Sequence, residues 1–246
     1  MKKRLCCFIL AFILIAICQA GCGKKDNGMK KVVLNEVAHS IFYAPQYVAI
    51  EMGYFKDAGI DLVLETGFGA DKTMTALISG NADIGFMGSE STIYAYAEGS
   101  KDYAVNFAGL TQRAGNFLVA REKIDNFSWD MVKGKNVLGG RKGGMPQMVL
   151  EYILKANNID PASDLSIDQS VDFGLTAGAF SGNTEYDFTV EFEPGATSLE
   201  KEGKGYVVAS LGVDSGYVPY TAYSAKKSYI EKNPEIIKDF TSAIQK

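Results

Sequence analysis

VVLNEVAHSIFYAPQYVAIEMGYFKDAGIDLVLET, residues 32–66, runs on into GFGADKTMTALISGNADIGFMGSESTIYAYA, residues 67–97. Val32–Val37 is rich in β-branched residues and reads as a strand, with His39–Tyr43 as the loop after it. Pro45 opens a helix, because a first-turn N–H has no intrahelical partner and its loss there costs nothing. Tyr47, Val48, Ile50 and Met52 are the apolar positions of that helix, which ends near Gly53. Asp61–Thr66 predicts a second strand and Gly67–Ala70 a glycine-rich turn. Asp71 is expected to cap the next helix, with Met74, Leu77 and Ile78 on one face. Ala82–Met87 predicts a third strand, and Gly88-Ser89 leads into a helix through Ala97. Three strand–turn–helix units in succession predict an α/β fold with a mostly parallel sheet and helices on its faces.

Downstream the rhythm breaks. Tyr103–Leu110 and Asn116–Arg121 read as strands with no helix between them, which places a crossing into a second unit there. The second unit repeats the theme with strand Asn136–Leu138, a glycine loop and helix Met145–Ala156. Strand Leu165–Asp168, a helix, strand Asp187–Val190 and a helix from Pro194 follow. Val207–Leu211 and Val218–Tyr223 are expected to be the strands that carry the chain back. The last predicted helix, Pro234–Gln245, meets the end of the sequence without a C-cap, so a fragment of a longer protein is expected.

Upstream, residues 1–22 read MKKRLCCFILAFILIAICQAGC. Lys2, Lys3 and Arg4 precede an apolar run, Leu5–Ala20, that falls short of the ~20 residues a spanning helix needs, and small residues then lead to Cys22. This is the pattern of a secretory leader. All four cysteines (Cys6, Cys7, Cys18 and Cys22) lie within it. The body therefore offers no thiol nucleophile, no CxxC metal site and no redox pair, and must stabilise itself by apolar burial. Without the three leader cations the chain keeps 22 basic against 29 acidic side chains, a net charge of −7. No basic patch with interleaved aromatics is present, which excludes nucleic acid as an expected partner. Residues 23–30, with lysines on both sides of Asn27-Gly28, read as a polar tether.

In doubly wound sheets ligands sit beyond the carboxyl ends of strands, where loops become helix N-termini and free N–H groups gather. Four turns have this character: Ser40–Tyr43, Gly67–Ala70, Gly88–Ser91 and Gly139–Gly144. The last is followed by Met145-Pro146 where a P-loop needs Lys-Ser/Thr, and its spacing is not GxGxxG, so nucleotide binding is not supported. Phe42, Tyr43, Tyr47, Phe192, Tyr217 and Tyr220 are aromatics for either a pocket or a core. Tyr43 and Tyr220 stand out because each sits beside a proline turn. Glu191 and Glu193 bracket Phe192 and, on a strand, point the same way. They are the one carboxylate pair an enzyme reading would use, but nothing in the sequence orients them for proton transfer.

Tyr43-Ala44-Pro45-Gln46-Tyr47-Val48-Ala49, Met52–Asp61 and Gly80-Asn81-Ala82-Asp83-Ile84-Gly85 together resemble one family. It is the nitrate/sulfonate/taurine and thiamine-pyrimidine-precursor family of importer binding proteins, and the resemblance runs from about residue 31 to 246. It implies a two-lobe periplasmic-binding-protein-like fold of type II, with lobe 1 at 31–113, lobe 2 at 114–215 and a return to lobe 1 at 216–246 that is incomplete. It implies a ligand-binding set of Ser40, Phe42, Tyr43, Gly88, Ser89, Gly140, Gly143, Glu191, Glu193, Tyr217 and Tyr220, with no catalytic residue, metal or cofactor. The leader is similar to those of bacterial lipoproteins, with Ala20-Gly21-Cys22 in the processing pattern and Gln19 departing from it. The function so implied is that of an extracytoplasmic, lipid-anchored, monomeric solute-binding protein of an ABC importer, working with a permease and an ATPase. Two ligand classes stay open. Helix N-termini with Lys72, Arg113, Arg141 and Lys142 suit a sulfonate-like anion, whereas aromatics with Glu191 and Glu193 suit an amino-pyrimidine. The alternative is an enzyme on the same fold. Fungal relatives make the thiamine pyrimidine from their own histidine, and His39 is the only histidine here, although their cysteine-rich motif is absent from the body.

If Cys22 carries the lipid, Cys22→Ala releases the protein from membranes of a bacterial host or leaves its leader uncleaved. Membrane fractionation with a leader-cleavage blot reads this, and a cleaved, membrane-retained mutant would exclude lipidation at Cys22.

Overall fold

The computed structural model describes residues 28–172 and 174–246. The leader, Cys22 and the first part of the tether lie outside the described residues, and no helix among those described is long and apolar enough to cross a membrane. Lys30, placed in the tether by the sequence, already belongs to the first strand.

The first lobe alternates β1 (Lys30–Glu36), α1 (Ala44–Glu51), α2 (Tyr54–Asp57), β2 (Ile60–Thr66), α3 (Ala70–Ser79), β3 (Ile84–Gly88), α4 (Glu90–Ala97) and β4 (Ala104–Thr111). The second runs through β5 (Asn116–Ala120), β6 (Asn136–Leu138), α5 (Met145–Ala156), β7 (Ser166–Asp168), α6 (Thr176–Gly182), β8 (Phe188–Phe192), α7 (Gly195–Lys201), β9 (Tyr206–Ser210) and α8 (Leu211–Asp214). The chain then returns to the first lobe as β10 (Thr221–Lys226), α9 (Lys227–Lys232) and α10 (Pro234–Gln245).

The two five-stranded sheets have the orders β2-β1-β3-β10-β4 and β7-β6-β8-β5-β9. Each is mixed, and each has a single odd strand: β10 is antiparallel to β3 and β4, and β5 is antiparallel to β8 and β9. Both odd strands are the ones that arrive from the other lobe. β3 is buried along its whole length, as expected of a strand covered on both faces. Its Phe86 stacks on Tyr223 of β10 at 4.4 Å, and Phe240 of α10 meets Tyr223 at 5.1 Å. The returning segment therefore completes the core of the first lobe.

The crossing after β4 and the return before β10 run side by side. Val218 N–H donates to the Gln112 carbonyl at 3.0 Å and Tyr220 N–H to that of Thr111 at 3.1 Å. This corrects the sequence reading of Val218–Tyr223 as one strand: Val218 and Tyr220 spend their N–H groups tying the two crossovers together, Pro219 between them has none, and β10 begins at Thr221. Val207–Leu211 is corrected too, since Leu211 opens α8 under a hydrogen bond from Val213 N–H to the Ser210 hydroxyl. Asp71 is not the cap of α3. Gly69 holds that position with no side-chain bond, and the Asp71 carboxylate is engaged across the cleft.

A chain ending at Ser215 keeps four of the five first-lobe strands but loses the one between β3 and β4. It is expected to lose the near-ultraviolet circular dichroism of the Phe86–Tyr223–Phe240 cluster and to become protease-sensitive throughout residues 30–111.

Candidate functional site

A cavity of about 590 Å³ lies between the lobes. The first lobe contributes Tyr43, the start of α3 (Gly69 to Asp71), Met74, Gly88, Glu90 and Tyr94; the second contributes residues 141–146 and Phe192. Tyr220 and Thr221, at the end of the returning crossover, close it from behind. Strand ends and helix starts converge here because both sheets point their carboxyl edges into the cleft, as the doubly wound topology requires.

The lobes are bridged at the mouth. Arg141 sits in the glycine loop of the second lobe and donates to Asp172 of its own lobe at 2.7 Å. It also reaches Asp71 at 3.0 Å and the Phe68 carbonyl at 3.2 Å in the first lobe. The turn that receives it is unusual, since Phe68 has φ 58°, a left-handed conformation that side chains seldom adopt. The Tyr94 hydroxyl contacts the Met148 sulfur at 3.2 Å as a second bridge.

Of the implied ligand-binding set, Tyr43, Gly88, Gly143 and Tyr220 stand on the cavity wall, joined by Phe192, Arg141 and Lys142 from the wider candidates. The others lie off it. Ser40 caps the short turn Ile41–Tyr43 by accepting from Phe42 N–H. Phe42 lays its ring on Gly115 in the first crossover, where a Cβ would come within 2.1 Å of the ring, and it packs against Phe192 and Tyr220. It is a wedge at the hinge. Ser89 donates its hydroxyl to the Pro219 carbonyl, tying α4 to the returning crossover. Gly140 is needed for packing, as a Cβ there would meet Pro146 at 2.3 Å.

The carboxylate pair divides. Glu191 is buried within the second lobe and accepts from Thr176 and Thr189. Glu193 accepts from the Thr197 N–H and hydroxyl at the start of α7. Tyr217 is 75% exposed and lies under the Arg113 guanidinium. His39 is off the cavity as well, hydrogen-bonded to Glu36, which also accepts from Gln46, Tyr47 and Thr66.

Glu90 is a cavity residue that the sequence named only within the turn Gly88–Ser91. A carboxylate in the first turn of a helix reads as an exposed partner of the helix dipole. Here the side chain is only 2% exposed, and neither of its oxygens meets a donor at hydrogen-bond geometry. The signal lies two residues earlier. A Cβ at Gly88 would fall 2.1 Å from one carboxylate oxygen and 2.4 Å from the other, so the missing side chain makes room for the carboxylate to fold back over the strand end. Burial pushes this carboxyl up to about 7, with the Met145 N–H and Ser91 hydroxyl near enough to offset only part of the effect. Burial likewise raises Glu191 to about 7 against the pull of its two threonines. The Tyr220 hydroxyl, also without a partner, is driven well above the ordinary phenol range by burial and then by the negative potential of Tyr43 and Glu90.

The sign of the linkage follows. A carboxyl whose folded value is raised holds its proton longer in the folded state, so stability falls as pH rises from about 4.5 through about 7. Glu90→Gln is expected to leave the melting temperature of the ligand-free protein nearly unchanged at pH 5. At pH 8 the variant should be more stable by up to about 3 kcal/mol, and thermal melts across this range measure it.

Residues 41–246 match the NMT1/THI5-like family. The chain is 50% identical over 235 residues to the candidate binding protein YtlA of Bacillus subtilis (strain 168), a span of 96% of this chain and 69% of that protein. The alkanesulfonate-binding protein SsuA from Xanthomonas axonopodis pv. citri, bound to MOPS, superposes with a TM-score of 0.69 at 16% identity, over 88% of this chain and 72% of that one. The periplasmic nitrate-binding protein NrtA from Synechocystis PCC 6803 superposes at 0.71 with 18% identity, over 88% and 60%. At those identities the structural likeness establishes the periplasmic-binding-protein-like fold. The extent of the family match establishes more, and the chain belongs to the NMT1/THI5-like family.

Proposed function

We propose that this chain is the extracytoplasmic solute-binding component of an ABC importer, anchored by lipid at Cys22. In this reading it holds a small organic solute between its lobes and delivers it to a permease with its ATPase. The observation that carries the reading is the cavity itself: its walls come from both lobes and from the returning crossover. A solute there gains contacts only when the lobes are together, which is the condition for a ligand to drive closure. The likeness to SsuA and NrtA, a sulfonate binder and a nitrate binder, supports the same role.

The volume, about 590 Å³, suits a molecule of many heavy atoms better than a bare inorganic ion. Tyr43, Tyr94, Phe192 and Tyr220 line the cavity with aromatic rings, while Lys142 and the N-terminus of α5 offer positive potential on its wall. These features suit an aromatic or pyrimidine-like body, a sulfonate-like group, or both in one molecule. The enzyme alternative draws no support from the geometry, because its one histidine lies off the cavity and Glu191 and Glu193 are turned to separate threonines.

A thermal-shift screen of pyrimidine and sulfonate solutes is expected to give a binder. Tyr94→Ala then weakens it about five- to thirtyfold, about 1–2 kcal/mol by titration calorimetry, because the variant loses a ring face and a bridge between the lobes. His39→Ala leaves the affinity unchanged. Conversion of the solute during the titration, abolished in His39→Ala, would replace the carrier reading with the enzyme one.

A further inference from the structure

The carboxylate of Glu90 stands at the junction of both lobes with no donor at hydrogen-bond geometry, although its own N–H, the Met145 N–H and the Ser91 hydroxyl lie near it. Its position is built, not accidental. β3 is buried along its length and ends at Gly88, and the side chain two residues on folds into the space that glycine leaves. A buried ionisable group without a partner is among the most expensive features a fold can keep, and such groups gather where a ligand supplies what is missing.

The described residues do not supply a counter-ion. Arg141, on the wall of the same cavity, is committed to Asp71, Asp172 and the Phe68 carbonyl. Lys142 stands at the mouth, Glu98 is a further carboxylate on the wall, and the phenols Tyr43, Tyr94 and Tyr220 bring hydroxyls but no cation. What the described residues do not place beside Glu90 is a positive charge or a donor at hydrogen-bond geometry.

Resting on the binding-protein reading, we infer that Glu90 is the counter-ion of the solute's buried end, which is a cationic or N–H-bearing nitrogen group such as an amidine, amine or amino-substituted ring. The unpartnered Tyr220 hydroxyl lies in the same negative environment and serves as an additional donor or acceptor for that group. Above pH about 7 a sulfonate, carboxylate or nitrate is excluded from this end because it would face a desolvated like charge. An anionic group in the same solute is left to Lys142 on the cavity wall, since the start of α5 lies beside Glu90.

The test uses two probes with one ring and opposite charge, benzamidine and benzenesulfonate, together with 4-aminopyrimidine. They are titrated into the full chain in detergent by calorimetry and thermal shift. Benzamidine and 4-aminopyrimidine are expected to bind and benzenesulfonate to bind at least tenfold more weakly. Benzamidine affinity should rise about tenfold between pH 6 and pH 8, as the carboxyl near 7 gives up its proton. Glu90→Gln removes that pH dependence and at least tenfold of the affinity. Gly88→Ala, which displaces the carboxylate without changing its charge, gives a similar loss. Benzenesulfonate bound as well as benzamidine, or benzamidine bound equally by Glu90→Gln, overturns the assignment and leaves the binding-protein reading standing. Failure of all three probes overturns the assignment of Glu90, and the thermal-shift screen then decides the binding-protein reading on its own.

Discussion

The two crossovers hold this molecule together and also let it move. Each sheet borrows its antiparallel strand from the chain segment that has just left the other lobe, so neither sheet is complete without the exchange. The borrowed strand β10 is central, lying between β3 and β4 and carrying Tyr223 into the middle of the aromatic core. Because the crossovers are hydrogen-bonded to each other through Gln112, Thr111, Val218 and Tyr220, they bend as one ribbon. Rotation about such a ribbon changes the cleft without disturbing either core, and the cavity lies directly against it.

Phe42 and Ser89 show how closely site and hinge are merged. Both come from turns that a ligand-binding loop would occupy, yet both spend their side chains on the crossovers, one against Gly115 and the other on the Pro219 carbonyl. They fix the orientation of the first lobe's loops relative to the ribbon. A solute pressing on Tyr43 or Tyr220 therefore acts on neighbours of the hinge residues themselves.

The α/β rhythm was legible because each unit announces itself by pattern: the β-branched run at 32–37, Pro45 at a first turn, and the 3.6-residue spacing of Met74 and Leu77. Residues 218–220 were misread because their apolar character is that of a strand. Only a partner distant in sequence, the 111–112 segment, decides that the Val218 and Tyr220 N–H groups serve a crossover instead. The site was legible as a set of turns and much less so as a set of side chains. Glu191 and Glu193 share one strand parity, but one lies buried among threonines and the other serves the start of a helix. Glu90 was legible only as a member of the turn Gly88–Ser91, and its inward pose depends on an absent side chain at Gly88. Orientation of this kind is set by packing across the fold, which local pattern does not encode.

The latch at the mouth is divided unequally between the lobes. Arg141 is held by Asp172 on its own side and reaches across to Asp71, with both carboxylates half-exposed or more. When the lobes part, the guanidinium keeps its home partner, so it stays extended and ready to be recaptured. The backbone bonds of the ribbon are insensitive to dissolved ions, but the attraction between Arg141 and Asp71 is screened within about 10 Å at 0.1 M salt. The frequency of opening is thereby coupled to ionic strength, while the path of opening is not.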